Sequence, residues 1–342
     1  MAQHLIVGGS GFIGARLAAR LHARGERVRV LDVVDDPARP AEIEFVPGSV
    51  TDPAAVSAAM RGVDVVHHNA ALVAQSAAGR DYYRVNEGGA AIVAETAVRA
   101  KVRMVVHLST TAVYGLPPNG PITAATVPQP IEDYGRSKLA GERAMQAICD
   151  AAGIPVVTIR PRVTLGAGRL GIFAILFDWI RASRRVYVIG DGHQRQQFIH
   201  VDDLIDFHLH AVAMGRPGTW NVGTDRFGTL REDLGALIDH AASRSRVTGL
   251  PVAPSTAALH ALHKLGLSPL TAWHYRTYHR DCHFDVAPLL ATGWRPRYAN
   301  FDMLCENYDW FLAQKPSAVD RAASPHRRML EQRALRVLKA LS

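Results

Sequence analysis

Tyr134 and Lys138 stand four residues apart in the run YGRSK, inside a stretch of helical patterning from Tyr134 to Ala151. That spacing puts both side chains on one helix face. A phenol with a pKa near 10 is a poor base at neutral pH. A neighbouring ammonium, or any other positive charge beside the phenol, favours the phenolate and would lower that value. Such a pair alone commonly marks a solvated helix face, so its weight comes from its surroundings. Upstream, an apolar run ending at Leu108 delivers Ser109, Thr110 and Thr111. A hydroxyl there can hold a substrate oxygen against Tyr134, with plain strand-end capping as the bland alternative. The chemistry such a set supports is proton transfer at a carbinol or carbonyl oxygen, with hydride moving at carbon.

Hydride needs a carrier, and the N-terminus offers a place for one. Gly8, Gly11 and Gly14 form a glycine-rich turn between an apolar run and a helical pattern. Residues without Cβ allow a tight turn and close backbone approach, and a pyrophosphate can then sit on free N–H groups at the helix start. Asp32 ends the next apolar run, at the spacing expected for a carboxylate that accepts from the adenosine ribose hydroxyls. A carboxylate there repels a 2′-phosphate, which favours NAD over NADP.

The elements needed to position these groups are legible as alternating runs. Leu5–Val7, Val28–Leu31, Val63–His67, Met104–Leu108 and Val156–Ile159 read as strands. Phe12–Arg24, Pro53–Met60, Gly88–Ala100 and Tyr134–Ala151 read as helices between them. This rhythm implies βαβ units and an α/β fold, a doubly wound parallel sheet of Rossmann type. After about Arg160 the rhythm breaks. The expected division is a dinucleotide-binding domain over 1–164 and 197–226, a smaller substrate-capping region over 165–196 and 227–315, and a basic tail over 316–342.

The 342 residues carry a formal charge of +8. Their apolar and charged fractions are those of a globular chain. No apolar run reaches the roughly 20 residues of a membrane span. The start lacks the pattern of a signal peptide. Three scattered cysteines suit a reducing cytoplasm, so a cytoplasmic location is expected. No nucleic-acid module is legible. The positive charge concentrates in the tail, where Leu330, Ala334, Val337, Leu338 and Leu341 form a stripe flanked by Arg327, Arg328, Arg333, Arg336 and Lys339. Packing on its own domain or on a second subunit of a homodimer is one reading. Peripheral contact with an anionic membrane is the other. The run HRDCH, with His279, Cys282 and His283, lacks the further ligands of a closed metal site, and no metal is expected.

The chain resembles the extended short-chain dehydrogenase/reductases of the NAD-dependent epimerase/dehydratase type. The resemblance rests on VGGSGFIG at the start, VVHHNAA at 65–71, VNEGG at 85–89, LSTTAVYG at 108–115, YGRSK at 134–138, IRPRVTLGAG at 159–168, GDGHQRQQFIHVDDL at 190–204 and TGWRPRY at 292–298. It implies Tyr134 as acid/base, Lys138 as its partner and ribose binder, and Thr110, four residues before Tyr114 of the VYG motif, as the third catalytic group. It implies a cofactor held by Gly8, Gly11, Phe12, Ile13, Gly14 and Asp32. Ala70, Ala71, Asn86 and Pro161 would line the rest of the cleft. Ser49, beside Val50, stands where an adenine-contacting aspartate is usual.

The departures from the family narrow the chemistry. Thr111 and Ala112 replace the Asp-Glu pair of the dehydratases, which argues against elimination of water. Val163 replaces the asparagine of RPxN, and Gln196 replaces the arginine of QxRDF, so two usual grips on a nucleotide diphosphate are missing. Thr111, Arg162, Val163, Arg195 and Gln196 are the positions expected to meet the substrate, and Arg162 with Arg195 could rebuild an anion site. The pattern RPxxxxGxG also resembles the sterol dehydrogenase branch, while YGRSKLAGE and IHVDDL resemble the epimerases. The expectation is a secondary alcohol/ketone interconversion on a sugar-like or polycyclic ring. A 4-epimerase with tightly held NAD, or a non-catalytic NAD-binding scaffold, are the alternatives.

Overall fold

The structure is a computed structural model that describes residues 1–74, 78–116, 120–265 and 272–314. In chain order its strands are β1 (Gln3–Val7), β2 (Arg27–Asp32), β3 (Glu44–Pro47), β4 (Val65–His68), β5 (Met104–Leu108), β6 (Val156–Pro161), β7 (Val163–Leu165), β8 (Val186–Ile189), β9 (Phe198–His200), β10 (Gly218–Val222) and β11 (Val247–Leu250). Its helices are α1 (Phe12–Ala23), α2 (Pro53–Ala59), α3 (Gly89–Ala100), α4 (Asp133–Ala151), α5 (Phe173–Arg181), α6 (Val201–Met214), α7 (Leu230–His240), α8 (Val252–Lys264), α9 (Ala272–Thr277), α10 (Ala287–Leu290) and α11 (Asn300–Ala313). The basic tail lies outside the described residues.

Seven strands form one sheet in the order β10-β6-β5-β4-β1-β2-β3, and every pair in it is parallel. The order reverses between β1 and β4. In such a sheet the crevice outside the strand ends at the reversal is where a dinucleotide binds. The glycine turn after β1 and residues Asn69–Ala71 after β4 flank that crevice.

Both sheet faces are covered, which is why β1 and β5 are buried at every position rather than alternating. On one face α2, α3 and α4 bury Val56, Val93, Ala97 and Met145 against Leu5, Val66 and Val105. On the other, α1 and α6 bury Leu17, Leu21, Ile205 and Leu209 against Ile6 and Val30. A separate core joins α5, β8, α7 and α11 through Phe177, Val186, Leu237 and Phe311. Leu165 of β7 and Phe198 of β9 belong to the same core.

Two details differ from the sequence pattern. The helix expected from Gly88 begins with a wider π-type turn, Tyr83–Gly88, and only then becomes α3. Gly141 of α4 packs there so closely that a Cβ would collide with the Asn86 carbonyl oxygen. The edge strand β3 is not legible in the sequence, because its four residues alternate too briefly to register. Among the described residues no helix is long and apolar enough to cross a membrane.

Candidate active site

The glycine turn is a cradle shaped by exclusion. Gly8 adopts a φ of +82°, and a Cβ there would lie 2.6 Å from the Ala70 backbone. A Cβ on Gly14 would collide with the Gly8 carbonyl oxygen. Both positions therefore require glycine. Helix α1 begins at Gly11 with no side-chain cap and no acid in its first turn. Its first N–H groups are left for an anion. Asp32 accepts from the Ser10 N–H at 2.9 Å, which ties the end of β2 to the turn. Nearby, the Ser10 hydroxyl and both amide atoms of Asn69 are buried without a partner. Orphaned polar atoms beside a Cβ-excluding cradle fit a polar ligand lying across the crevice.

Other positions implied for the cofactor have local duties. The Asn86 carboxamide accepts from the Leu72 N–H at 2.8 Å and donates to the Leu72 carbonyl at 3.1 Å and the Ser137 hydroxyl at 3.0 Å. It pins the loop after β4 to the helix that carries Tyr134. Ser49 bonds Thr51 through their hydroxyls at 2.8 Å. Val50 packs into the core. Pro161 is buried at the end of β6.

The candidate catalytic groups converge at the ends of β5 and β6. Thr110 is extended and caps a 3-10 turn, Thr111–Tyr114, accepting from the Ala112 N–H at 3.2 Å. The turn closes on Gly115, where a Cβ would collide with the Gln129 carbonyl. The Thr110 side chain faces the Tyr134 phenol and favours its ionised form. Burial pushes the phenol up, while Thr110 and the Arg169 guanidinium pull it down. The upward direction differs from the sequence expectation, and the reason is visible. Lys138 is 2% exposed and donates to the Leu108 carbonyl at 2.7 Å rather than lying on the Tyr134 hydroxyl. Burial lowers its ammonium to about 8, with Glu142 opposing the shift.

Glu142 lies on the same face of α4, one turn beyond Lys138. It pairs with Arg160 of β6 through contacts of 2.5 and 3.0 Å and accepts from the Ser109 hydroxyl. Arg160 also donates to the Tyr114 hydroxyl at 2.8 Å, which donates to Asn221 at 2.8 Å. This buried network joins α4, β5, β6 and β10 around Thr110. Sequence reasoning misses Glu142, Arg160 and Arg169. The i, i+4, i+8 spacing of Tyr134, Lys138 and Glu142 is the available signal for the first. Arg169 arrives by a loop whose path no local pattern encodes; its guanidinium stands 5.6 Å from the Phe12 ring centre.

The expected substrate positions part company. Arg162 is fully buried, holding the Gln197 carbonyl, the Thr111 hydroxyl and the Cys282 sulfur. Val163 is half-buried in β7. Arg195 is exposed and stacks over Phe227 at 4.7 Å. Gln196 is buried and donates to the Arg280 carbonyl at 2.7 Å, so its amide braces the turn after α9. Gln194 braces the same turn at the Tyr278 carbonyl, also at 2.7 Å. Outside that turn lies a cavity of about 440 Å³, with Leu116, Val252 and Tyr275 beside Arg276 and Arg280.

These features make a candidate dinucleotide site at the switch point of a doubly wound sheet. The family model described as the NAD dependent epimerase/dehydratase family matches residues 4–223, and the chain belongs to that family. It is 37% identical over 335 residues to the uncharacterised protein y4nG of Sinorhizobium fredii, covering 98% of this chain and 85% of that one. It is 30% identical over 316 residues to a dTDP-6-deoxy-L-talose 4-dehydrogenase (NAD(P)(+)) of Kitasatospora kifunensis, covering 86% and 91%. Among solved structures it resembles a Thermus thermophilus UDP-glucose 4-epimerase complexed with NAD. There the TM-score is 0.73 and the identity 25%, over 92% of this chain and all of that one. The protein is thus an NAD-dependent enzyme of the epimerase and dehydrogenase type.

Proposed function

We propose that the protein interconverts a secondary alcohol and a ketone on a ring substrate, with net redox change. The observation that carries this reading is the convergence of the Tyr134 phenol and the Thr110 side chain at the end of β5, with buried Lys138 one helical turn away. Bound NAD supplies the hydride acceptor or donor. Tyr134 takes or returns the proton of the substrate oxygen. Thr110 holds that oxygen in line with the phenol. Lys138 fixes the Leu108 carbonyl and the ribose edge of the cleft, and its charge favours the phenolate once the oxygen is bound. Thr111 and Ala112 offer no carboxylate for elimination, which argues against a dehydratase. The cavity beside Arg276 and Arg280 is where a distal part of the substrate would rest. Incubation with cyclic ketones and NADH tests the reading. Loss of the NADH absorbance in step with alcohol formation supports it, and interconversion of epimers without NADH loss refutes the net redox.

The second reading is a sugar 4-epimerase, favoured by the likeness to a UDP-glucose 4-epimerase. It predicts NAD released from the purified protein on denaturation and no exchange with added NADH.

Two further outcomes follow from this reading. Glu142→Gln removes the charge that opposes the fall in the Lys138 pKa, so the ammonium is lost at lower pH. The basic limb of kcat/KM, expected near 8 from Lys138, moves down by about one unit. The same substitution leaves Arg160 unpaired and costs about 3 kcal/mol in denaturant unfolding. Asp32→Ala removes the carboxylate that would repel a 2′-phosphate. Titration should show the preference for NADH over NADPH narrowing by at least about tenfold. An unaltered preference would place cofactor discrimination elsewhere.

A further inference from the structure

Arg162 is the largest side chain among the fully buried described residues. A guanidinium out of water is costly unless it is paired. Arg162 makes no ion pair among the described residues. Three neutral groups take part of its fork: the Gln197 carbonyl at 3.0 Å, the Thr111 hydroxyl at 3.1 Å and the Cys282 sulfur at 3.0 Å. Its Nη2 is buried without a partner. One residue from Cys282, the Nδ1 of His283 is also buried without a partner, in a side chain only 8% exposed. The His283 ring lies 5.5 Å from that of Phe227, whose ring carries the Arg195 guanidinium at 4.7 Å.

Two cations, Arg162 and Arg195, thus both act on His283, and the first of them also holds the Thr111 hydroxyl. Burial and then the charges of Arg195 and Arg162 hold the His283 imidazole below its ordinary value, with Asp281 opposing. Asp281 accepts the Arg195 backbone N–H at 2.7 Å. The Tyr278 phenol, pushed up by burial, feels Arg162 as well.

We propose that Arg162, His283 and Arg195 form a subsite for an oxyanion, a carboxylate or a phosphate ester, carried by the substrate ring near its reacting carbon. The proximity to that carbon rests on reading Thr110 as the residue that holds the reacting oxygen, since Thr111 is its chain neighbour. Two N–H donors on one oxyanion would satisfy both orphaned nitrogens and neutralise the buried charge. The segment 278–284 has to shift for the anion to reach Nη2, which is shielded from solvent. This chemistry differs from a grip on a distant diphosphate, for which Gln196 is already committed to the Arg280 carbonyl.

The test is calorimetric titration of the NAD-loaded protein with glucuronate, glucose 6-phosphate and glucose. One acidic sugar is expected to bind at least about tenfold more tightly than glucose. Preference for glucuronate assigns a carboxylate, and preference for glucose 6-phosphate a phosphate ester. The preference should vanish in Arg162→Gln, and fall in Arg195→Ala, which alters a surface side chain and does not depend on the buried site refolding. It should survive in Tyr134→Phe, which separates this proposal from the proposed reaction. Equal binding of all three sugars, no binding of any, or a preference that survives both arginine substitutions overturns it.

Discussion

Tyr134→Phe lowers kcat by about 10²–10⁴-fold and leaves NAD binding intact. The phenylalanine keeps the ring that lies 6.0 Å from Tyr82 and removes only the hydroxyl that faces the Thr110 side chain. Lys138 still holds the Leu108 carbonyl, and the Asn86 tie to Ser137 is untouched. Folding is therefore unaffected, and the loss falls on proton transfer alone. The variant's NADH titration should superimpose on that of the parent. Thr110→Val should give a smaller loss, because it removes alignment while the acid/base group stays. If Tyr134→Phe turns over at the parental rate, the proton passes through another group and the proposed site is wrong.

The second large effect is a loss of stability in mild acid. His4, His67, His68, His107 and His208 are all buried in and under the central sheet. His4 Nδ1 lies 3.0 Å from His67 Nε2, and His68 Nδ1 lies 2.9 Å from His107 Nδ1. In each close pair one nitrogen must donate and the other accept, so the accepting ring cannot take a proton at its facing nitrogen without a clash of donors. Burial depresses all five. His68 falls to about 3, with Lys138 adding to the shift, and His208 to about 4. Unfolded imidazoles take up protons as the pH falls through about 6.5, while the folded ones do not. The unfolded chain then binds more protons, so stability declines as pH falls below about 6.5 and is flat with respect to these groups above it.

The magnitude is large. His68 and His208 together remove about 5 kcal/mol by about pH 4.5, comparable to the whole stability of an ordinary domain. Asp203 and Asp233, held above the usual carboxylate range by burial, shift the balance the other way and offset part of the loss. Denaturant midpoints should be level from about pH 7.5 to about pH 6.5 and fall from there down to about pH 5. Replacing His68 and His107 together by leucine should flatten that slope. A midpoint independent of pH over this range would show that the imidazoles are solvated.

The sheet is legible in the sequence because its strands and helices alternate at lengths that only βαβ units explain. The run YGRSK is legible because a helix brings positions four apart onto one face. What the spacing cannot reveal is the direction of each side chain within that face. Lys138 reaches the Leu108 carbonyl, and the cation nearest in effect to Tyr134 comes from Arg169, on a loop beyond β7. Gln196 reads as a lost substrate contact, yet its amide braces the turn after α9. A buried carboxamide takes the nearest backbone carbonyl. The buried histidines look like mere composition in the sequence. In β4 and β5 they occupy positions where apolar residues are usual, and only the pairing of strands brings them together.

The most direct test of the central claim follows the label. The protein is incubated with NADH carrying deuterium at the transferable C4 position and a panel of cyclic ketones, including 4-keto sugar nucleotides and polycyclic ketones. Mass spectrometry of the alcohol formed should show one deuterium on the carbinol carbon for each NADH oxidised, in the parent and not in Tyr134→Phe. Alcohol without deuterium, or epimers exchanging while the labelled NADH stays intact, would contradict net hydride transfer at this site.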